Sequence, residues 1–202
     1  MLPQGHKISN STPIQAAAAS QEGLSPRERV GLVARGALLI GLTLFVAMAF
    51  QQNEEPLELG MKAPHAHLQA YDGRTWELDR FENRPILLNF WATWCGPCIA
   101  EMPTLVSISE RYASDVVVIG AAVSSPADDV VAAVVRFGIR YPVAAADQAT
   151  IDRYKAAAIP LTYLLDAEHR VVWSAKGAVS EEALERAIQN VLLAPRGEPP
   201  SL

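Results

Sequence analysis

The two cysteines of this chain lie in one tetrapeptide, Cys95-Gly96-Pro97-Cys98. Two thiols at this spacing can cycle between a dithiol and a disulfide and so exchange two electrons with a partner. An apolar run at residues 85–91 precedes the tetrapeptide, and a helical pattern follows it. We therefore expect a strand, a tight turn and a helix that begins at Gly96, which is the local structure that a redox-active Cys-x-x-Cys pair requires.

The position of each cysteine relative to the predicted helix indicates its role. Cys95 precedes the helix, so its sulfur can stay exposed while it receives backbone N–H donors and the positive end of the helix dipole, which favour the thiolate. Cys98 lies inside the first turn and is expected to be the less exposed, resolving thiol. Gly96 lets the turn close tightly, and Pro97 lacks an N–H near the helix start, where none is needed.

Other chemistries fit parts of this pattern. A copper-binding protein or metallochaperone could use the Cys-x-x-Cys pair and a nearby histidine as ligands, although the sequence has no Met-rich or His-rich tract. A peroxide-reducing enzyme would normally place its reactive cysteine in a different local pattern. We predict no metal site, since the pair alone lacks the four ligands of structural zinc, and we interpret His65 and His67 as alternate residues on a strand edge.

Charge and hydropathy divide the chain. The 202 residues carry a net charge of −5, which argues against a nucleic-acid partner. Residues 1–53 hold four basic and two acidic residues, so their balance is +2 and the remainder carries −7. Residues 36–50 contain one polar side chain, Thr43, and the stretch back to Val30 has about 21 residues, enough for a helix to cross a bilayer.

Basic residues precede this apolar segment and acidic residues follow it, so the positive-inside rule predicts a single-pass anchor in the cytoplasmic membrane. The N-terminus would lie in the cytoplasm and the cysteine pair in the periplasm. A cleaved signal peptide is the alternative, because Ala47-Met48-Ala49 resembles a cleavage site. The predicted organisation is a disordered tail at 1–29, a membrane segment at 30–50, a linker at 51–60, a folded domain at 61–193 and a loose tail at 194–202.

The order of predicted elements in the body indicates an α/β fold. Asp72-Gly73 between two alternating runs predicts a β-hairpin. A helix over 127–137 is expected to start at the signal Ser124-Ser125-Pro126, and a final helix to be capped by Ser180. Strands are expected at 67–71, 75–78, 86–91, 116–123, 141–143, 161–165 and 171–175, and helices at 96–112, 127–137, 150–154 and 180–193. This is a thioredoxin-like topology, a central mixed sheet flanked by helices, to which the N-terminal hairpin and the 127–137 helix are additions.

Two blocks of sequence carry a family resemblance. Residues 88–103 read LNFWATWCGPCIAEMP, and residues 158–166 read AIPLTYLLD. With these blocks, residues 60–190 resemble the membrane-anchored thioredoxin-like proteins of the TlpA/ResA type, which are bacterial thiol–disulfide proteins. The resemblance implies a cis Ile159-Pro160 peptide that faces the dithiol, with Ile159 free to pair with a substrate backbone.

The resemblance also marks Glu101, one helical turn after Cys98, as a group that assists proton movement; a solvated helix acid is the alternative. Asn89 stands where cytosolic thioredoxin has a buried aspartate, which makes Glu101 the stronger candidate for acid–base chemistry. Trp94 is expected to shape a docking surface, whereas Trp91 is expected in the core.

The function that the resemblance implies is reduction of protein disulfides in an extracytoplasmic space, with cytochrome c maturation as the process served. The Gly-Pro dipeptide is that of the reducing thioredoxins. No cofactor is expected besides the redox-active Cys95–Cys98 disulfide. The expected partners are protein disulfide substrates and a membrane electron donor of the CcdA/DsbD type.

Overall fold

The computed structural model describes residues 40, 41, 43, 55–81 and 83–194. The chain divides into two compact units, Met1–Met48 and Ala49–Leu202. The described residues of the first unit are helical. Among all residues that the structure describes, no helix combines the length and the apolar character needed to cross a membrane. Most of the predicted membrane segment, and both predicted tails except Ala194, lie outside the described residues.

A seven-stranded mixed sheet forms the centre of the second unit, in the order β2-β1-β5-β4-β3-β6-β7. The strands β3, β4 and β5 are parallel to one another, and the other pairs are antiparallel. The strands are β1 Leu68–Ala70, β2 Thr75–Trp76, β3 Ile86–Trp91, β4 Val117–Ala122, β5 Val143–Ala146, β6 Leu161–Leu165 and β7 Val171–Lys176. The helices are α1 Gly96–Arg111, α2 Ala127–Phe137, α3 Gln148–Arg153 and α4 Glu181–Leu193, with a 3-10 helix at Leu78–Phe81.

The central strand β3 is buried along its whole length, as its continuous apolar sequence predicts for a parallel strand covered on both faces. Successive side chains point to opposite faces, so the strand contributes side chains to two hydrophobic cores, one on each side of the sheet. Phe90 packs with Tyr154 and Tyr163 in one core, which we call the tyrosine face. Leu87 and Trp91 pack in the other core, which contains both cysteines and which we call the dithiol face.

The hairpin forms at Asp72-Gly73 as predicted, although its strands are shorter than expected. Gly73 has a φ of 86° and donates to the Ala70 carbonyl at 3.0 Å, a conformation that glycine adopts without steric cost. Arg74 N–H donates to the Asp72 carboxylate at 3.0 Å. Leu78, predicted to end the second strand, begins the 3-10 helix instead.

The helix α2 has the predicted bounds and starts directly after the predicted signal Ser124-Ser125-Pro126. Pro126 is the N-cap residue, and no side chain caps the helix. Ser125 Oγ instead accepts a hydrogen bond from Thr93 N–H at 3.1 Å, and the Ser124 carbonyl accepts one from Trp94 Nε1 at 3.0 Å. The two serines therefore tie this loop to the segment before Cys95.

The expectation that His65 and His67 alternate on a strand is also wrong. Both residues precede β1 in irregular backbone. His65 Nε2 lies 3.8 Å from Glu77 Oε1, whereas His67 Nδ1 lies 3.5 Å from Asp147 Oδ2. The two imidazoles are thus placed beside different carboxylates.

The segment before β1 is bonded to the outer strand β7. Gly60 N–H donates to the Val171 carbonyl at 2.7 Å, and Val171 N–H donates to the Met61 carbonyl at 2.8 Å. Leu57 is buried, and its N–H donates to Tyr163 Oη at 3.1 Å. Residues 57–60, assigned to the linker from the sequence, therefore pack against the sheet.

Candidate active site

The cysteine pair lies at the N-terminus of α1, and the helix begins at Gly96 as predicted. Cys95 is the N-cap residue in an extended conformation, and its Sγ accepts a hydrogen bond from Cys98 N–H at 3.3 Å. The two cysteines form a disulfide. Cys95 keeps 6% of its surface exposed and Cys98 keeps none, so the expected order of exposure is found, but the Cys95 residue is more enclosed than expected.

The Ile159-Pro160 peptide bond is cis, as the resemblance implied. It precedes β6, which pairs antiparallel to β3 with Leu161 opposite Phe90. This register brings the bond to the end of β3 that leads into the cysteines. The Ile159 carbonyl oxygen lies 3.9 Å from Cys95 Sγ. The bond therefore lies beside Cys95 Sγ, and the predicted juxtaposition with the cysteine pair is confirmed.

Glu101 is buried with 5% of its surface exposed, so the alternative of a solvated helix acid is wrong. Its Oε1 accepts a hydrogen bond from Asn89 Nδ2 at 2.9 Å, and its Oε2 accepts one from Val179 N–H at 3.1 Å. Asn89 Nδ2 also donates to Thr162 Oγ1 at 2.9 Å. One carboxylate thus connects α1 to β3, and through Asn89 to β6 just after Pro160.

Burial raises the pKa of Glu101, because it removes water from around the charged carboxylate. The hydrogen bonds from Asn89 and Val179 favour the charged form and offset part of this effect. The pKa of Tyr141 is also raised, first by burial and then by the negative charge of Glu101. Tyr141 Oη lies 3.5 Å from Met102 Sδ, next to Glu101 in α1. The site therefore includes an acid whose pKa is raised above its ordinary value.

The two tryptophans before the pair have opposite surroundings. Trp94 is 63% exposed beside Cys95, with its Nε1 held by Ser124. Trp91 is fully buried, so its predicted place in the core is confirmed. A Cβ added at Gly120 would lie 3.1 Å from Trp91 Nε1, closer than ordinary packing contacts, so glycine leaves room for the indole.

Three residues of this site carry no recognisable sequence signal. Thr162 is marked only by its register opposite Asn89 in the β3–β6 pair. Val179 contributes a backbone N–H, which any residue could supply. Tyr141 is brought to α1 by the fold and was assigned from the sequence only to a short strand.

A mixed sheet with a Cys-x-x-Cys disulfide at the first turn of a helix, opposite a cis-proline, defines a thioredoxin-like thiol–disulfide oxidoreductase. A family model described as Redoxin matches residues 58–192. The chain therefore belongs to the Redoxin family.

Named relatives support the same class. The chain is 30% identical over 162 residues to the thiol-disulfide oxidoreductase ResA of Bacillus cereus, covering 79% of this chain and 91% of that protein. It is 27% identical to ResA of Bacillus subtilis over 158 residues, covering 77% and 87% of the two chains. A crystal structure of a thiol:disulfide interchange protein DsbE from Chlorobium tepidum superposes with a TM-score of 0.62 at 27% identity, covering 67% of this chain and 99% of that one. The chain is thus a ResA-like oxidoreductase that acts on protein disulfides, and the copper-binding alternative is not favoured.

Proposed function

We propose that this protein reduces disulfides of extracytoplasmic proteins through the Cys95–Cys98 pair. The observation that carries the proposal is the position of Cys95 as N-cap of α1, where it accepts the Cys98 N–H and faces the Ile159 carbonyl. A helix N-terminus and backbone donors stabilise a thiolate, which is the nucleophile in disulfide exchange. The Gly-Pro dipeptide between the cysteines supports the reducing direction.

The exchange proceeds in two balanced steps. In the reduced protein, the Cys95 thiolate attacks one sulfur of a substrate disulfide, and the other substrate sulfur leaves as a thiolate that takes up a proton. The Cys98 thiol then loses its proton and attacks Cys95 Sγ in the mixed disulfide. The second substrate thiol is released, and two electrons have passed from the cysteine pair to the substrate.

Glu101 and the cis-proline segment support these steps. Deprotonation of buried Cys98 needs an acceptor, and Glu101 lies one helical turn from it on the same helix. We assign to Glu101 the movement of this proton, with Asn89 and Val179 fixing the carboxylate. Ile159 supplies backbone polar groups beside Cys95, where a substrate backbone can pair with them, and Pro160 holds this segment against the sulfur. Trp94 offers an exposed apolar surface at the same place.

The proposed location is the outer side of the cytoplasmic membrane, with residues 30–50 as anchor. A reductant in that space has no direct access to cytosolic thioredoxin, so it needs a membrane electron donor of the CcdA/DsbD type. The named relatives and the resemblance to the TlpA/ResA type support a role in cytochrome c maturation. The substrate would then be the apocytochrome or its partner protein.

Reduction of insulin by the full chain tests the activity. We expect turnover in the wild type, none in Cys95→Ser, and an accumulating mixed disulfide in Cys98→Ala. Ser109→Ala, on the same helix, is the control and keeps wild-type turnover. An inactive wild type that binds Cu(I) tightly would instead support the metallochaperone.

The location and the donor need a test in cells. A reporter enzyme that is active only outside the cytoplasm, fused after Leu202, should be active and remain in the membrane fraction. The cysteine pair should be reduced in cells and become oxidised when the membrane donor is deleted. A soluble cytoplasmic fusion would contradict the anchor and the location together.

A further inference from the structure

Two open depressions lie side by side on the surface, and residues 140–142 line both of them. One has a volume of about 550 Å³ and lies between the β1–β2 hairpin and α2. The other has a volume of about 680 Å³ and lies between the end of α1, the start of β4 and the loop before β3. We call the two together the arginine groove. Neither cysteine lines it, although Tyr141 lines both depressions and contacts Met102 next to Glu101 in α1.

Three hydrogen-bond donors of the arginine groove lack acceptors within the described part of the chain. Arg84 Nε and Tyr71 Oη are buried without a hydrogen-bond partner. Arg84 Nη2 donates to the Ala113 carbonyl at 2.7 Å, which fixes this guanidinium in place. Arg140 is exposed and forms no ion pair or hydrogen bond with the described residues. Because the Arg140 guanidinium is a charged donor without an acceptor among the described residues, the groove favours an occupant that brings acceptors.

The net charge at the centre of the groove is positive. Asp72, which lines one depression, is paired with Arg74 through a hydrogen bond of 2.7 Å. Glu110 lines only the other depression. Arg140 lies where the two depressions meet and has no acidic partner among the described residues. A positive centre in a chain of net charge −5 indicates an anionic occupant.

Apolar side chains continue the groove onto α2. Val131 and Val135 are one helical turn apart and are 48% and 77% exposed. Trp76 and Tyr71 of the hairpin line the same depression as Val131. Exposed apolar residues next to aromatic and arginine side chains are typical of protein interfaces. The occupant should therefore carry apolar groups beside its acceptors.

The shape of the groove favours a polypeptide over a small molecule. Small-molecule sites enclose most of the ligand surface, whereas both depressions are open to solvent and share residues 140–142 as lining. An extended segment can lie across both and use their donors and their apolar walls together. We propose that the arginine groove docks an extended segment of a partner protein in which carboxylate side chains alternate with apolar ones. One carboxylate pairs with Arg140, and the apolar side chains contact Val131 and Trp76.

Two blocked hexapeptides test this proposal by NMR titration of the full-length protein. One alternates glutamate with leucine, and the other alternates glutamine with leucine. We expect the glutamate peptide to shift the Trp76 indole and the Val131 and Val135 methyl signals, and the glutamine peptide to bind about tenfold more weakly, as expected for loss of a charge-assisted hydrogen bond. Arg140→Gln should weaken binding of the glutamate peptide by a similar factor.

Arg136→Gln is the matched control, because Arg136 is an arginine in the last turn of α2 that lies over the Phe137 ring and lines neither depression. It should leave binding unchanged, and both variants should retain insulin reduction. Equal weakening by the two variants, equal binding of the two peptides, or no shifts with either peptide would overturn the proposal. Tighter binding of indole-3-propionate than of the glutamate peptide would overturn the polypeptide class in favour of a small carboxylate.

Discussion

The two faces of the central sheet differ in how their polar groups are satisfied. On the tyrosine face, Tyr163 Oη donates to the Tyr154 carbonyl at 2.8 Å, and Tyr154 Oη donates to the Pro64 carbonyl at 2.6 Å. On the dithiol face, Asn89 Oδ1 and Trp91 Nε1 are buried without a partner. Glu101 is held there as a buried acid with a raised pKa.

This difference suggests that the tyrosine face contributes mainly to folding stability and the dithiol face mainly to the reaction. The rings of Phe90 and Tyr154 are tilted by 41° with centroids 5.2 Å apart, and Tyr163 meets Phe90 edge to face, so rings and paired hydroxyls fill the tyrosine face. The dithiol face instead keeps unpaired groups near a redox pair, and a redox or catalytic role is one explanation for buried groups without a partner. We therefore expect changes on the first face to act on folding and changes on the second to act on the reaction.

The largest expected effect is on the tyrosine face. Phe90→Ala should lower the free energy of unfolding by about 3–5 kcal/mol, through lost burial and the cavity left behind. Insulin reduction per folded molecule should stay within about twofold of the wild type, since packing rather than chemistry is removed. Urea denaturation and activity assays check this, with Leu193→Ala, which is 84% exposed, as the neutral control. A large loss of activity in the folded fraction would contradict the assignment of stability to the tyrosine face and of the reaction to the dithiol face.

The substitution Tyr163→Phe tests whether hydrogen-bonded hydroxyls stabilise the tyrosine face. The change removes the acceptor of Leu57 N–H and the donor to the Tyr154 carbonyl. We expect a loss of about 1–3 kcal/mol in the free energy of unfolding, because buried groups are left unpaired. Amide exchange at Leu57 should accelerate. Unchanged stability would mean that water replaces the hydroxyl and that this face is less dry than its burial indicates.

Glu101→Gln probes the dithiol face through its pH dependence. Burial raises the pKa of Glu101 above its usual value of 4.5, so just above that pH the folded state holds a proton that the unfolded state has released. The free energy of unfolding therefore falls as the pH rises through this window, by at most about 1.4 kcal/mol per pH unit for one proton. Glu101→Gln should remove this contribution to the slope.

Urea denaturation of the oxidised protein between pH 4 and pH 8 measures this slope, because disulfide-bonded cysteines do not titrate. Phe90→Ala keeps Glu101 and should keep the wild-type slope despite its lower stability. Parallel curves for the wild type and Glu101→Gln would contradict the raised pKa.

The smallest expected effect is at the start of α4. Ser180 Oγ accepts a hydrogen bond from Ala183 N–H at 3.3 Å and caps the helix next to Val179. Ser180→Ala should lower the free energy of unfolding by about 1 kcal/mol. Ser109→Ala, whose hydroxyl bonds only within α1, should change it little. A shift in the pH dependence of insulin reduction for Ser180→Ala alone would show that the cap also positions the Val179 donor of Glu101.

Local signals in the sequence were enough to predict most helices and strands and the placement of the cysteine pair. Pro126 lies directly before α2, whose bounds are as predicted. Only two residues separate the cysteines in the sequence, so one helix start places both. The environment of Glu101 was not predictable in this way, because it depends on Thr162 and Val179, which only the sheet register and a loop bring near. Local propensity also failed at Leu78, where the chain turns into a 3-10 helix.

Both outer strands of the sheet offer little free backbone for pairing with another chain, and this has a consequence for solubility. On one side the sheet ends in β2, which has two residues. On the other side the backbone of Val171 in β7 is already bonded to Gly60 and Met61. Exposed strand edges invite pairing with other chains and aggregation. The short β2 and the bonded backbone at Val171 therefore protect the protein from pairing with other chains through its own sheet.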